Sequence, residues 1–197
     1  MARGVNDGSV PPSLDRLTGR LLVATPTLED PNFRRTVVLV LDHSDDGALG
    51  IVVNRPLDVD VAAVLPAWQP YTTNPGRLFQ GGPVQLDSAL GLVAVPGDGR
   101  EPDGVRRIIG SLGLVDLDTP PDALAGDVAG LRIFAGYAGW SSGQLEDEIG
   151  EGAWYVVDSE PRDPFTDAPE GLWRAVLRRQ RGDLALVSTY PDDPTMN

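Results

Sequence analysis

The chain has 197 residues, of which 41% are hydrophobic, a length and composition that predict one compact domain with a substantial core. All 16 basic residues are Arg, Cys is absent and His43 is the only histidine, which excludes thiolate and Schiff-base chemistry, disulfides, a phosphate-loop lysine and a multi-histidine zinc centre. The net charge of −13 is uneven, 8 Arg against 11 acids in residues 1–100 and 8 against 18 in residues 101–197, a field that opposes direct nucleic-acid binding.

Residues 1–16 read as a flexible lead-in rich in Gly, Pro, Ser and Asp. Leu-rich and β-branched runs at 17–24 and 35–41 predict two strands around a loop broken by Pro26 and Pro31. The unbroken run Val37-Val38-Leu39-Val40-Leu41 fits a strand covered on both faces, and Asp45-Asp46-Gly47 turns it into a hairpin with residues 48–53. A short helix is predicted over 59–65, a loop over 68–76, and strands over 78–80, 90–95 and 105–109. Thr119-Pro120 gives the start of a helix over 122–128. Strand 131–137, helix 143–149 and strand 154–157 follow. Leu172, Trp173, Val176 and Leu177 form the apolar stripe of a helix over 169–180, residues 184–188 read as a closing strand, and 189–197 form a polar tail. Strands interspersed unevenly with three or four helices predict an α+β domain over 17–188 with mixed pairing.

Three junctions share a plan in which an apolar strand runs into Gly and polar residues. They are Gly47 to Pro56, Phe79-Gln80-Gly81-Gly82-Pro83, and Gly136 to Glu146. Asn54 and Arg55 supply amide and guanidinium donors suited to a carboxylate or phosphate, or else serve a turn and an internal ion pair. Gly81-Gly82 can turn backbone N–H groups toward an anion, or can be a tight turn or bulge. Gly139-Trp140-Ser141-Ser142-Gly143 satisfies Gly-x-Ser-x-Gly, but His43 precedes the serine, against the hydrolase order, so a turn with Ser141 or Ser142 capping the helix is preferred. The stretch from Asp42 resembles the start of a calcium loop, yet its twelfth position is Val53 and strands flank it, so a metal site is not expected. The acids Glu146, Asp147, Glu148 and Glu151 read as a solvated helix face in preference to a catalytic pair.

Together, Asp30-Pro31-Asn32-Phe33-Arg34-Arg35-Thr36, His43 with residues 47–56, residues 79–84, Gly136-Tyr137-Ala138-Gly139-Trp140 with Gly143-Gln144-Leu145-Glu146-x-Glu148-Ile149, and Trp154 resemble the YqgE/AlgH family over about residues 17–188. The resemblance implies a soluble bacterial protein whose single α+β domain is built of coiled, barrel-like mixed sheets. It implies no assigned reaction and no catalytic residues to transfer, and one branch of the family carries a transcriptional-regulator label.

The sequence therefore predicts a cytoplasmic binding protein or enzyme, with no cofactor expected. Its site gathers Asn54, Arg55, Gly81, Gly82, Tyr137, Trp140 and Gln144 in one cleft, with Arg34, Arg35 and His43 beside it, for a small polar or anionic ligand. The alternative is a transcription-regulatory or protein-interaction module acting without direct DNA binding. No membrane association is expected.

Overall fold

A computed structural model describes residues 17–97, 101–124 and 126–192; the predicted lead-in lies outside them, as does the end of the predicted tail. Ten strands form one curled sheet: β1 (Leu21–Ala24), β2 (Val37–Ser44), β3 (Gly47–Val52), β4 (Pro56–Asp60), β5 (Arg77–Gln80), β6 (Val84–Ala94), β7 (Val105–Ile109), β8 (Leu112–Val115), β9 (Gly130–Ser141) and β10 (Trp154–Val157). The order β10-β1-β2-β3-β9-β6-β8-β7 is antiparallel throughout, with β4 paired to β5 and β5 joined to β9 in the one parallel pairing of the described strands. Among the described residues three helices accompany the sheet, α1 (Gln144–Gly150), α2 (Leu172–Arg178) and α3 (Asp183–Val187). The architecture is a mixed α+β fold with a curled half-barrel.

Strands β1 to β3 are covered on both faces, as the continuous apolar run requires. Leu21, Val23, Val37, Leu39 and Ile51 pack with Leu172, Trp173, Val176 and Leu177 of α2. The alternate residues Leu22, Val38, Val40 and Val52 pack with Trp140, Trp154 and Leu145 of α1. A third cluster, around Trp68, Val93, Leu131 and Ile133, fills the region beneath β6 and β9. Each fully buried Val, Leu or Ile contributes roughly 1.5–3 kcal/mol, so the two-sided strands carry a large share of the stability. The predicted hairpin holds, with Ser44 opposite Gly47 across the Asp45-Asp46 turn.

Several elements differ from expectation. Residues 184–188 form α3 in place of a strand, because Gly182 breaks the chain at φ 68 and Asp183 occupies the first helical turn; a short apolar run does not distinguish strand from helix. The expected helix over 122–128 shrinks to a 3-10 turn at Pro121–Leu124, since Gly126 turns the chain at φ 92. The expected helix over 59–65 is β4 followed by a single 3-10 turn at Val61–Ala63, and the expected loop at 68–76 holds a 3-10 helix, Pro66–Tyr71, that buries Trp68. Strand β8 went unread because Gly113 and the turn at Gly110 interrupt its pattern.

Strand β9 runs to twelve residues and serves two parts of the sheet. Its first half pairs with β6 and its last residues pair with β3. On the edge opposite β6 the partner changes from β5 to β3 across Gly136, whose φ of 71 kinks the strand. Gly81 and Gly82 cross this kink at backbone contact. A Cβ on Gly81 would lie 2.3 Å from the Gly136 carbonyl oxygen, and one on Gly82 would lie 2.2 Å from the Tyr137 backbone. Gly82→Ala is therefore expected to destabilise the protein by more than about 2 kcal/mol, since rigid backbone must move. Gly150→Ala, in open space at the end of α1, should be neutral or stabilise by up to about 1 kcal/mol. Urea denaturation of the two variants checks the contrast.

Candidate functional site

The ten residues singled out from sequence fall into three groups, not one cleft. The first surrounds the 31–36 loop. Asn54, 8% exposed, accepts from the Val37 N–H through Oδ1 and donates to the Arg35 carbonyl through Nδ2, both at 2.9 Å. Arg55 donates to the carbonyls of Pro31, Asn32 and Arg34, and burial lowers its pKa. Both side chains are spent on backbone that β2 leaves unpaired as it begins, the service buried polar backbone demands. In the second group, Gly81 donates its N–H to the Ala135 carbonyl and gives its own carbonyl to Val52 N–H, and Tyr137 packs against the α2-covered core. Both glycines answer the close approach to β9, and the Gly81 amide is spent on that strand.

The third group is an aromatic and carboxylate cluster at α1. Phe33, Trp140 and Trp154 meet with ring centroids 5.5–6.2 Å apart. Both indole N–H groups donate to one carboxylate oxygen, Glu148 Oε2, at 3.0 Å from Trp140 and 2.8 Å from Trp154, while Gln144 Nε2 donates to Oε1. His43 accepts the Leu17 N–H on Nδ1, which leaves Nε2 to donate to Glu146 Oε1 at 2.5 Å. That bond holds the Glu146 carboxyl below its ordinary range. Glu146 and Glu148 are thus internal acceptors, correcting the reading of α1 as a solvated acidic face. The detectable signal was the pair of tryptophans, since a buried indole N–H requires an acceptor and residues 144–151 supply the neighbouring carboxylates. The serine cap is also corrected. Gly143 is the N-cap with no side-chain cap bond, the Ser142 hydroxyl donates to the Asp45 carbonyl, and Gln144 Oε1 accepts from the Ser141 N–H and hydroxyl.

A cleft of about 680 Å3 opens elsewhere, between Thr73-Asn74, the 162–167 turn and one side of α2. Its walls include Thr166, Asp167, Phe165, Leu172, Ala175 and Arg179. Arg132 of β9 fixes two of these walls from beneath. Its side chain is 1% exposed, and it donates to the carbonyls of Asn74, Pro164 and Thr166 while lying 4.2 Å from the Phe79 ring. Desolvation lowers its pKa to about 10, partly offset by the field of Asp167. On the other side Arg179 grips Asp163 through two bonds of 2.6 Å. None of the ten predicted residues lines this cleft. No group of three or more His, Cys, Asp or Glu among the described residues is arranged to hold a metal, and no described helix is long and apolar enough to cross a membrane.

A curled half-barrel whose aromatic corner is closed by α1 defines a class of α+β proteins with known relatives. The AlgH-like family matches residues 21–185. The UPF0301 protein SCO2948 of Streptomyces coelicolor is 64% identical over 184 residues, covering 92% of this chain and 95% of its own, and the UPF0301 protein of Thermobifida fusca is 51% identical over 195 residues, covering 93% and 98%. The crystal structure of DIP2367 from Corynebacterium diphtheriae superposes with a TM-score of 0.80 at 35% identity, covering 88% of this chain and 92% of that one. The solution structure of AlgH from Pseudomonas aeruginosa gives 0.67 at 29% identity, covering 97% and 98%. The chain belongs to the AlgH-like family, as the motifs indicated.

Two predictions concern the α1 cluster. Glu148→Ala removes the shared acceptor of two indoles and should cost about 1–3 kcal/mol, with a red shift of tryptophan fluorescence in the folded state. Because the folded pKa of Glu146 is depressed, its stabilisation is present above the ordinary carboxylate value and disappears as pH falls through the folded value. The stability gap between wild type and Glu146→Gln should therefore be open at pH 6–7 and close below about pH 4, as measured by urea denaturation across that range.

Proposed function

We propose that this chain is a binding protein for a small polar molecule, held in the cleft between Thr73-Asn74, the 162–167 turn and α2. The carrying observation is Arg132. Burying a guanidinium is expensive unless its donors are used; here Nη1 and Nη2 tie together the loop and turn that form two of the walls, while Nε is buried without a partner. Such bracing supports a preorganised site, in which the ordering cost of binding is met during folding. Thr73, Asn74, Thr166 and Asp167 offer hydroxyl, amide and carboxylate groups, while Phe165, Leu172 and Ala175 offer apolar contact. Arg179 is already neutralised by Asp163 and Glu160, so the lining favours a neutral or zwitterionic ligand carrying hydroxyl or amine groups. A transcription-regulatory role would run through a partner, since a net charge of −13 repels DNA.

Thermal-shift screening against monosaccharides, amino acids and nucleosides tests this reading. A ligand present at a hundred times its Kd should raise the midpoint by roughly 5–10 °C. Ala175→Trp fills the cleft from an exposed position and should abolish that shift; a shift that survives this substitution places the ligand elsewhere. Arg132→Met, which strands three carbonyls, should lower stability by roughly 2–4 kcal/mol and weaken the same ligand.

A further inference from the structure

Three arginines converge on the far side of α2 from the cleft. Arg34 donates to the Asp192 carbonyl and Arg35 to the Pro191 carbonyl. Arg174 of α2 donates to the Ser188 carbonyl and, at 2.7 Å, to the Asp192 carboxylate. Beneath them lies buried Trp173, its ring 4.1 Å from the Arg35 guanidinium and 5.9 Å from that of Arg174. The segment after α3 thus lies across a cationic platform as a short peptide would, recognised through three main-chain carbonyls and one acidic side chain.

This grouping is costly for its fold role alone. Like charges sit close together, and Arg35 has its pKa lowered by burial and then by Arg174, against the opposing field of Asp192. Arg35 holds φ 60, a left-handed conformation that non-glycine residues rarely adopt and that clusters at functional sites. Its Nη1 is buried without a hydrogen-bond partner. The Asn54 amide on the Arg35 carbonyl and the Arg55 guanidinium on the Arg34 carbonyl hold the strained loop in place. The Asp192 carboxylate that faces the platform is itself 87% exposed, and an exposed pair of this kind is weak. The Asp192 side chain therefore adds little to holding the segment on the platform.

We propose that Arg34, Arg35 and Arg174 form a recognition site for an acidic peptide segment of a partner protein, which the chain's own Pro191-Asp192 occupies as a tethered, displaceable ligand. Main-chain carbonyls supply three of the four contacts, which favours a peptide over a small oxyanion, and bidentate guanidinium donors suit an Asp or Glu side chain. Local positive charge on a chain of net −13 makes the site selective in place as well as in chemistry.

Fluorescence anisotropy of a labelled synthetic peptide with the sequence of residues 189–195 tests the proposal on the full-length protein. Wild type should bind it weakly, because the tethered segment competes at high effective concentration. Asp192→Lys and the milder Asp192→Asn remove the competitor at an exposed position. They should tighten binding by about three- to fivefold, the scale of one exposed ion pair. Adding Arg34→Ala or Arg174→Gln to either variant should abolish the gain, and rising salt should weaken it. Unchanged affinity in folded Asp192 variants, or a gain that survives loss of the arginines, overturns the proposal. Displacement of the peptide by inorganic phosphate at equal concentration overturns the peptide class and assigns the site to a small oxyanion.

Discussion

Strand β9 holds the sheet together because one strand bonds to three others. It pairs with β6 along its first part, with β3 at its end and with β5 through Phe134 and Ala135. The geometry depends on Gly136, where the strand kinks, and on Gly81 and Gly82, which cross the kink at a distance no side chain permits. A β-strand has two edges; β6 takes one edge of β9, while β5 and then β3 take successive lengths of the other, with the bend at Gly136 between them.

Backbone satisfaction is the second organising demand. Where strands start, kink or change partner, N–H and C=O groups lose their ladder and must be paired otherwise. Asn54 and Arg55 serve the loop before β2, and Arg132 serves the 74 and 164–166 turns. Glu148 meets the same demand for side-chain donors, accepting two indoles that would otherwise be buried unpaired. Asn54, Arg55 and Glu148 lie within motifs conspicuous in the sequence. Their polarity is spent inward because irregular backbone concentrates at the strand ends where such motifs fall.

Helix α2 links the two proposed sites. Leu172, Ala175 and Arg179 border the cleft, Arg174 reaches the segment after α3, and Trp173 lies between them with its indole N–H on the Ala24 carbonyl. A helix presents different residues to different sides within one turn, so a short buried helix can support unlike surfaces without a second domain. Its rigidity comes from Leu172, Trp173, Val176 and Leu177 in the core.

The amino-acid sequence by itself determined the α+β class, the two-sided strand at residues 37–41, the hairpin through Asp45-Asp46, the core stripe of α2 and the family. These are written in local periodicity, turn chemistry and ordered motifs, which need no knowledge of distant contacts. It also ruled out thiolate, Schiff-base and multi-histidine chemistry by composition. Only the tertiary structure decided where the polar side chains point. The three strand-end motifs look alike in sequence, yet Asn54 turns to β2 and Gly81 and Gly82 to the kink of β9, because partners 17 to 55 residues away in the chain set those environments, while Gln144 turns to Glu148 within α1. Residues 183–187 form a helix where Gly182 breaks the chain, and Leu184 and Val187 pack onto the α2 core. Arg132 and Arg174, unremarkable in sequence, acquired their places from contacts that local pattern does not encode.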